Sequence, residues 1–213
     1  MNSYIEVEVP VRQDAKWLTE LRNKMAERGI NVKWQKGHFH ITLVFIYKIP
    51  EDANWMAPLF NCLEYKAAPR LTFDKVDAFA SKMSGEHIIH LTSSNPSAEF
   101  TDVVNRTRAA IDELGCEYAP EFKLHVTLGR VDSKQIGIEE LKQIVSEVSI
   151  PSFTLQLFNF RFLEYKTYRE YAKYILYPDQ KSADEAWEER KRRAFMNAGS
   201  NYQLFTNPDL WGL

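Results

Sequence analysis

His40-Ile41-Thr42-Leu43 and His125-Val126-Thr127-Leu128 are two copies of one phrase, His-apolar-Thr-Leu, 85 positions apart in a chain of 213 residues. Each lies in a stretch of alternating apolar residues, the pattern of a half-buried strand. Residues two apart on a strand point the same way, so His40 shares a face with Thr42 and His125 with Thr127, while Ile41 and Val126 turn to the core. Imidazole titrates near neutrality. Of two imidazoles meeting in one groove, one can be neutral and accept a proton while the other is charged and donates one. General acid and base roles of this kind contribute ~10²–10⁴-fold each. Threonine hydroxyls donate to non-bridging phosphate oxygens and hold the phosphorus in line. The pattern suits in-line chemistry at a phosphodiester with no cofactor and no metal, since no carboxylate cluster stands near either motif in the sequence.

The same parity places His38 beside His40 and Lys123 beside His125, and a lysine there suits a phosphate. Arg130 ends the second motif. Strict alternation turns it away from the groove, so its place depends on how the strand ends.

The elements that must carry these residues recur. Strands are expected at Tyr4–Val11, Phe39–Tyr47, Leu71–Phe79, His87–Leu91, Lys123–Val131, Phe153–Leu163 and Tyr171–Tyr177. Helices are expected at Asp14–Arg28, Pro50–Tyr65, Pro96–Leu114 and Ile138–Val148. A shift near 85 lays Tyr4–Val11 on His87–Leu91, each first-half helix on a second-half helix, and one His-x-Thr strand on the other. Strand Leu71–Phe79 falls on Phe153–Leu163, and His87–Leu91 also closes the first set as Tyr171–Tyr177 closes the second. A third match, His90-Leu91-Thr92, falls on Ile5-Glu6-Val7 rather than on a motif strand. His90 is therefore expected in a packed strand, and His87 reads as an ordinary histidine near a turn. The expected fold is α+β and bilobal: a duplicated unit with two pseudo-symmetric antiparallel sheets, flanking helices and a central groove. Residues 1–178 form that unit. Residues 179–213 form an extension, with a charged helix over Asp184–Met196 anchored by Trp187 and Phe195, then Tyr202, Leu204, Phe205 and Trp211.

With 45% hydrophobic residues the chain can bury a substantial core. A net charge of -2 argues against coating long nucleic acid through a broad basic surface, but allows a local pocket for one phosphate. Cys62 and Cys116 read as two buried thiols. No signal peptide and no membrane span are apparent, so the expected location is the cytoplasm.

His40-Ile41-Thr42-Leu43-Val44-Phe45 and Glu121-Phe122-Lys123-Leu124-His125-Val126-Thr127-Leu128-Gly129-Arg130, in this strand and helix order, resemble the motifs of the two-histidine (2H) phosphoesterase superfamily. The LigT-like branch of 2′-5′ RNA ligases and RNA 2′,3′-cyclic phosphodiesterases is the most similar. The resemblance spans roughly Tyr4 to Pro178. It implies metal-independent opening of a 2′,3′-cyclic phosphate, with His40 and His125 as the catalytic pair and Thr42, Thr127 and Arg130 on the phosphate. RNA ends or small nucleotides are the implied partners. Leu124 departs from the Pro usual in that branch, which leaves the substrate open, another cyclic or 2′-5′ signalling nucleotide included. A binding module without catalysis is the reading from another class.

Overall fold

The computed structural model describes residues 2–51, 54–82 and 84–197. In chain order the elements are β1 (Ser3–Val9), α1 (Lys16–Glu27), β2 (Val32–Trp34), β3 (Phe39–Lys48), α2 (Met56–Leu63), β4 (Arg70–Phe73), β5 (Lys75–Ala80) and β6 (Glu86–Thr92). There follow α3 (Ala98–Glu113), β7 (Glu117–Tyr118), β8 (Val126–Asp132), α4 (Ile138–Ser146), β9 (Phe153–Gln156), β10 (Asn159–Glu164), β11 (Glu170–Ile175) and α5 (Gln180–Asn197).

Each helix of the repeat forms because one apolar stripe has a sheet or another helix to cover it. Trp17, Leu18, Leu21 and Met25 are the buried stripe of α1, and Gly29 stops the helix at φ +69°. Ser97 caps α3 by accepting from the Phe100 amide at 3.2 Å, and its own hydroxyl donates to the Arg70 carbonyl. Helix α2 packs on α3, and α4 packs along β5.

The strands form antiparallel sheets in the orders β11-β10-β1-β3-β7 and β2-β8-β6-β5, with β4 paired to β9 alone. Reversing the second order lays β5-β6-β8-β2 on β10-β1-β3-β7. The expected duplication is thus present, with one refinement: the halves exchange strands. β5, from the first half, completes the second sheet, and β10, from the second half, completes the first. β4 and β9 meet at the join, where the Thr72 and Thr154 hydroxyls lie 2.7 Å apart.

Several boundaries differ from the expectation. Leu71–Phe79 and Phe153–Leu163 each break in two, because the chain leaves the β4·β9 pair for a different sheet. The buried positions record the break: Leu71 and Phe73 are odd, Val76 and Ala78 even. β6 occupies the place of β1, so among the described residues β11 has no counterpart in the second sheet and does not match β6. The helix expected from Pro50 starts only at Met56, and Asp52 lies outside the described residues. The short strands β2 and β7, too brief for a periodic signal, form the outer edges beside β8 and β3. No helix among the described residues is long and apolar enough to cross a membrane.

Candidate active site

Strands β3 and β8 hold equivalent places in the two sheets and lie close together without pairing. On β3, Phe39, Ile41 and Leu43 are buried while His40 and Thr42 face the other way, as alternation requires. β8 begins at Val126, so His125 and Lys123 lie just before the strand rather than inside it. His125, Thr127, His40 and Thr42 line one cavity of about 590 Å³ with His38, Arg130, Tyr4, Gln35, Lys36, Phe45, Tyr165 and Tyr168.

Arg130 reaches this cavity through a bulge. His90 is opposite Thr127 but Ile89 is opposite Gly129, which leaves Leu128 as the extra residue of β8. The same slip occurs on β3, where Glu6 is opposite Thr42 and Ile5 opposite Val44, leaving Leu43 extra. In both motifs the Leu after Thr is the bulge, and parity reverses beyond it. Arg130 and Phe45, three residues past their threonines, therefore turn back to the groove. Gly129 is needed at the second bulge: a Cβ there would stand 2.6 Å from Val32 Cγ1 and 3.0 Å from Trp34 Cε3.

The two imidazoles are held differently. His125 Nδ1 donates to the Lys123 carbonyl at 2.7 Å. His40 Nδ1 faces Glu6 Oε2 at 3.5 Å, and both buried atoms lack a hydrogen-bond partner among the described residues. In each ring Nδ1 is turned back to the protein, which leaves Nε2 for the cavity. Glu6 is fully buried, with Arg161 on its Oε1 and His38 Nε2 3.1 Å from the same oxygen. His38 also touches the Arg161 guanidinium.

Burial lowers the pKa of both imidazoles below the ordinary value. In His40 it is opposed by Glu6 and reinforced by His38, Arg161 and His125. In His125 the Lys123 carbonyl opposes burial, while the charges of Lys123 and Arg130 reinforce it. The Lys123 ammonium points elsewhere, 3.4 Å from the centre of the Phe79 ring, and does not line the cavity.

Sequence reading missed Glu6 and Arg161. The available signal was an acidic residue inside the apolar run of a strand that proves to be paired on both sides. Glu6, His38 and His40 bring three possible metal-ligand atoms within 4.8 Å of one another, a carboxylate beside the first motif that sequence spacing did not reveal. The Arg161 guanidinium touches two of those three residues and already supplies positive charge to the cluster. Sequence reading also missed the aromatic wall. Phe45 is stacked with Tyr4 at 6.5 Å and edge-on to Tyr165 at 5.2 Å, and Tyr168 is 70% exposed at the cavity rim. Lys166 and Tyr168 hold positive φ in the turn that carries this wall. His87 and His90 are buried, as a packed strand requires.

A groove between two related sheets, with one His-x-Thr pair from each, is the architecture of the two-histidine phosphoesterases. The model of the 2′-5′ RNA ligase superfamily matches residues 10–169, and the chain belongs to that superfamily. Among solved structures it is similar to TT0787 of Thermus thermophilus, with TM-score 0.56 and 19% identity over 84% of this chain and 99% of that one. It is also similar to Kluyveromyces marxianus Usb1, with TM-score 0.53 and 11% identity over 82% and 98%. A third is E. coli LigT complexed with 3′-AMP, with TM-score 0.51 and 15% identity over 83% and 99%. No curated protein matches the sequence. These likenesses bear out the α+β fold and the family expected from the two motifs.

Proposed function

We propose that the protein is a metal-independent phosphodiesterase that hydrolyses 2′,3′-cyclic phosphates or 2′-5′ linkages in RNA ends or small nucleotides. The observation that carries the reading is the meeting of His40 and His125 in one cavity, His125 with Nδ1 held by the Lys123 carbonyl and His40 with Nδ1 turned to the buried Glu6. One imidazole takes a proton from water as its oxygen attacks phosphorus, and the other gives a proton to the departing ribose oxygen. Thr42 and Thr127 donate to the non-bridging oxygens, and Arg130 stabilises the charge that builds on them. His38 acts through Glu6 and Arg161, which it touches, rather than on the phosphate. Lys123 serves through its carbonyl on His125.

The cavity volume suits a nucleotide, and the Phe45, Tyr165 and Tyr168 wall offers π-faces to a base. That wall favours a nucleotide over a small phosphodiester without a ring. Residues 1–178 carry the activity in this reading, and the part after them is an accessory. The experiment is hydrolysis of nucleoside 2′,3′-cyclic monophosphates, a cyclic-phosphate-ended oligonucleotide and a 2′-5′ dinucleotide in EDTA. Turnover on any of the three supports the reading. Salt-dependent binding without turnover on any of them contradicts it and leaves a nucleotide-binding module.

A further inference from the structure

The duplication repeats a pair of residues that lies outside both motifs. Under the shift of 85, Arg22 on α1 and Arg108 on α3 coincide within one residue, and so do Trp34 on β2 and Tyr118 on β7. In each half the guanidinium sits over the ring, Arg22 5.6 Å from the Trp34 centroid and Arg108 5.0 Å from that of Tyr118. Each ring stands where the chain leaves a short edge strand for a motif strand. Residues 35–38 join β2 to β3 and lead into His40, and residues 119–125 join β7 to β8 and carry His125.

Both arginines serve the carbonyls of these connections. Arg108 donates to the Ala119 and Pro120 carbonyls at 2.9 and 2.7 Å. A third bond, at 3.4 Å, reaches the carbonyl of Leu43, the bulge residue of the first motif. Arg22 acts through Gln13. It donates to the Gln13 carbonyl at 2.7 Å and to the Gln13 side-chain oxygen at 2.6 Å. The Gln13 amide in turn donates to the Gly37 carbonyl at 3.1 Å and the Gln35 carbonyl at 3.5 Å. The connections also cross. The Gln35 backbone amide donates to the carbonyl of Leu128, the bulge residue of the second motif, and the Ala119 amide to the carbonyl of Phe45, each at 2.8 Å. Each motif histidine therefore hangs from an edge strand of the other histidine's sheet.

We propose that Arg22 and Arg108 are a duplicated pair of positioning residues, each bracing the connection that brings one motif histidine across from the other motif's sheet, so that together they fix how His40 and His125 meet. A planar guanidinium with five donors holds two or three oxygens and a ring at once, which the point charge of an ammonium does not. Residues 119–125 form no strand, so side chains supply much of their hold. At their far end the Thr92 hydroxyl donates to the Leu124 carbonyl at 2.8 Å, which gives the third His-x-Thr phrase a supporting part. Neither arginine lines the cavity, so both act through the backbone that carries the histidines.

This assignment rests on the phosphodiesterase reading for its kinetics, but its spectroscopic test does not need turnover. The histidine ring signals of the full chain are compared by NMR in Arg22→Lys, Arg22→Ala, Arg108→Lys and Arg108→Ala, with signals assigned by single His→Gln variants. The Arg108 variants should shift the His125 ring signals more than those of His40, and the Arg22 variants should do the reverse. On a nucleoside 2′,3′-cyclic phosphate each lysine variant should lose about 10- to 100-fold in kcat with KM within about twofold, since a misplacement of about 1 Å costs on that order. The lysine variants keep the question answerable where an alanine variant fails to fold. Ring signals that stay in place in both lysine variants, equal shifts at both histidines, or a loss confined to KM overturns the inference. Ring signals that move as stated in a chain without turnover overturn the phosphodiesterase reading instead.

Discussion

Phe45 and Arg130 occupy the same place on the two motif strands. Both lie three residues beyond the motif threonine, and both are returned to the groove by a bulge at the motif leucine. The duplication gave one backbone device two uses. On β8 it presents a guanidinium, and on β3 an aromatic ring backed by Tyr4 and Tyr165. The cavity therefore takes a guanidinium from β8 and an aromatic cluster from the β3 side.

That division separates two variants. Arg130→Ala should lower kcat/KM about 10²-fold, mostly through kcat, because charge builds on phosphate in the transition state. Tyr168→Ala should leave kcat near its starting value and raise KM about 5- to 100-fold, the worth of one stacked base. Steady-state kinetics on a nucleoside 2′,3′-cyclic phosphate checks both. Equal effects of the two variants on kcat would contradict the division.

The activity profile should lie on the acid side. Burial is the main cause that holds both His40 and His125 below 6.5. A depressed histidine pKa means that the protonated form is reached only at lower pH. Both limbs of the kcat/KM profile should therefore fall below 6.5, with activity declining through neutrality. A profile centred above pH 7.5 is the contrary result.

Stability should also depend on pH through a residue outside the groove. Burial, aided by the charges of His125 and Lys123 and opposed by Asp77, pushes His90 down to about 4 from 6.5. The folded-state pKa is depressed, so the unfolded chain takes up this proton first. The stabilisation is complete above pH 6.5 and is lost as pH falls through 4. The loss is about 3 kcal/mol at the acid end. Calorimetry from pH 7 to 4 should show a falling Tm in the native chain and a flatter one in His90→Leu. Parallel curves would contradict the assignment.

Gly129 gives a test of the bulge by itself. Its Cα hydrogen faces Val32 and Trp34 on β2, where a methyl group has no room. Gly129→Ala should cost about 1–3 kcal/mol in urea unfolding, and adding Val32→Ala should recover most of it. Additive losses would mean that the strain lies elsewhere.

The parts of this site legible in the sequence were those with a period. Alternation around His40 and Thr42 put them on one face, and the repeat paired them with His125 and Thr127. A bulge carries no composition of its own, so alternation misdirected Arg130, although the adjacent buried pairs Leu43-Val44 and Leu128-Gly129 mark the slip. Lys123 was assigned by parity to a strand that starts three residues later. Glu6 and Arg161 are 155 positions apart and meet only because β10 crosses to the first sheet, a strand exchange that a shift of 85 does not encode.

In the proposed function two imidazoles act together on one phosphorus. The direct measurement is single-turnover hydrolysis of a 2′,3′-cyclic-phosphate substrate in EDTA by the native chain, His40→Ala, His125→Ala and the double variant. Each single variant should lose ~10²–10⁴-fold, and the double should lose far less than the product of the two, because the acid and the base serve one step. Native rates in either single variant would contradict the account.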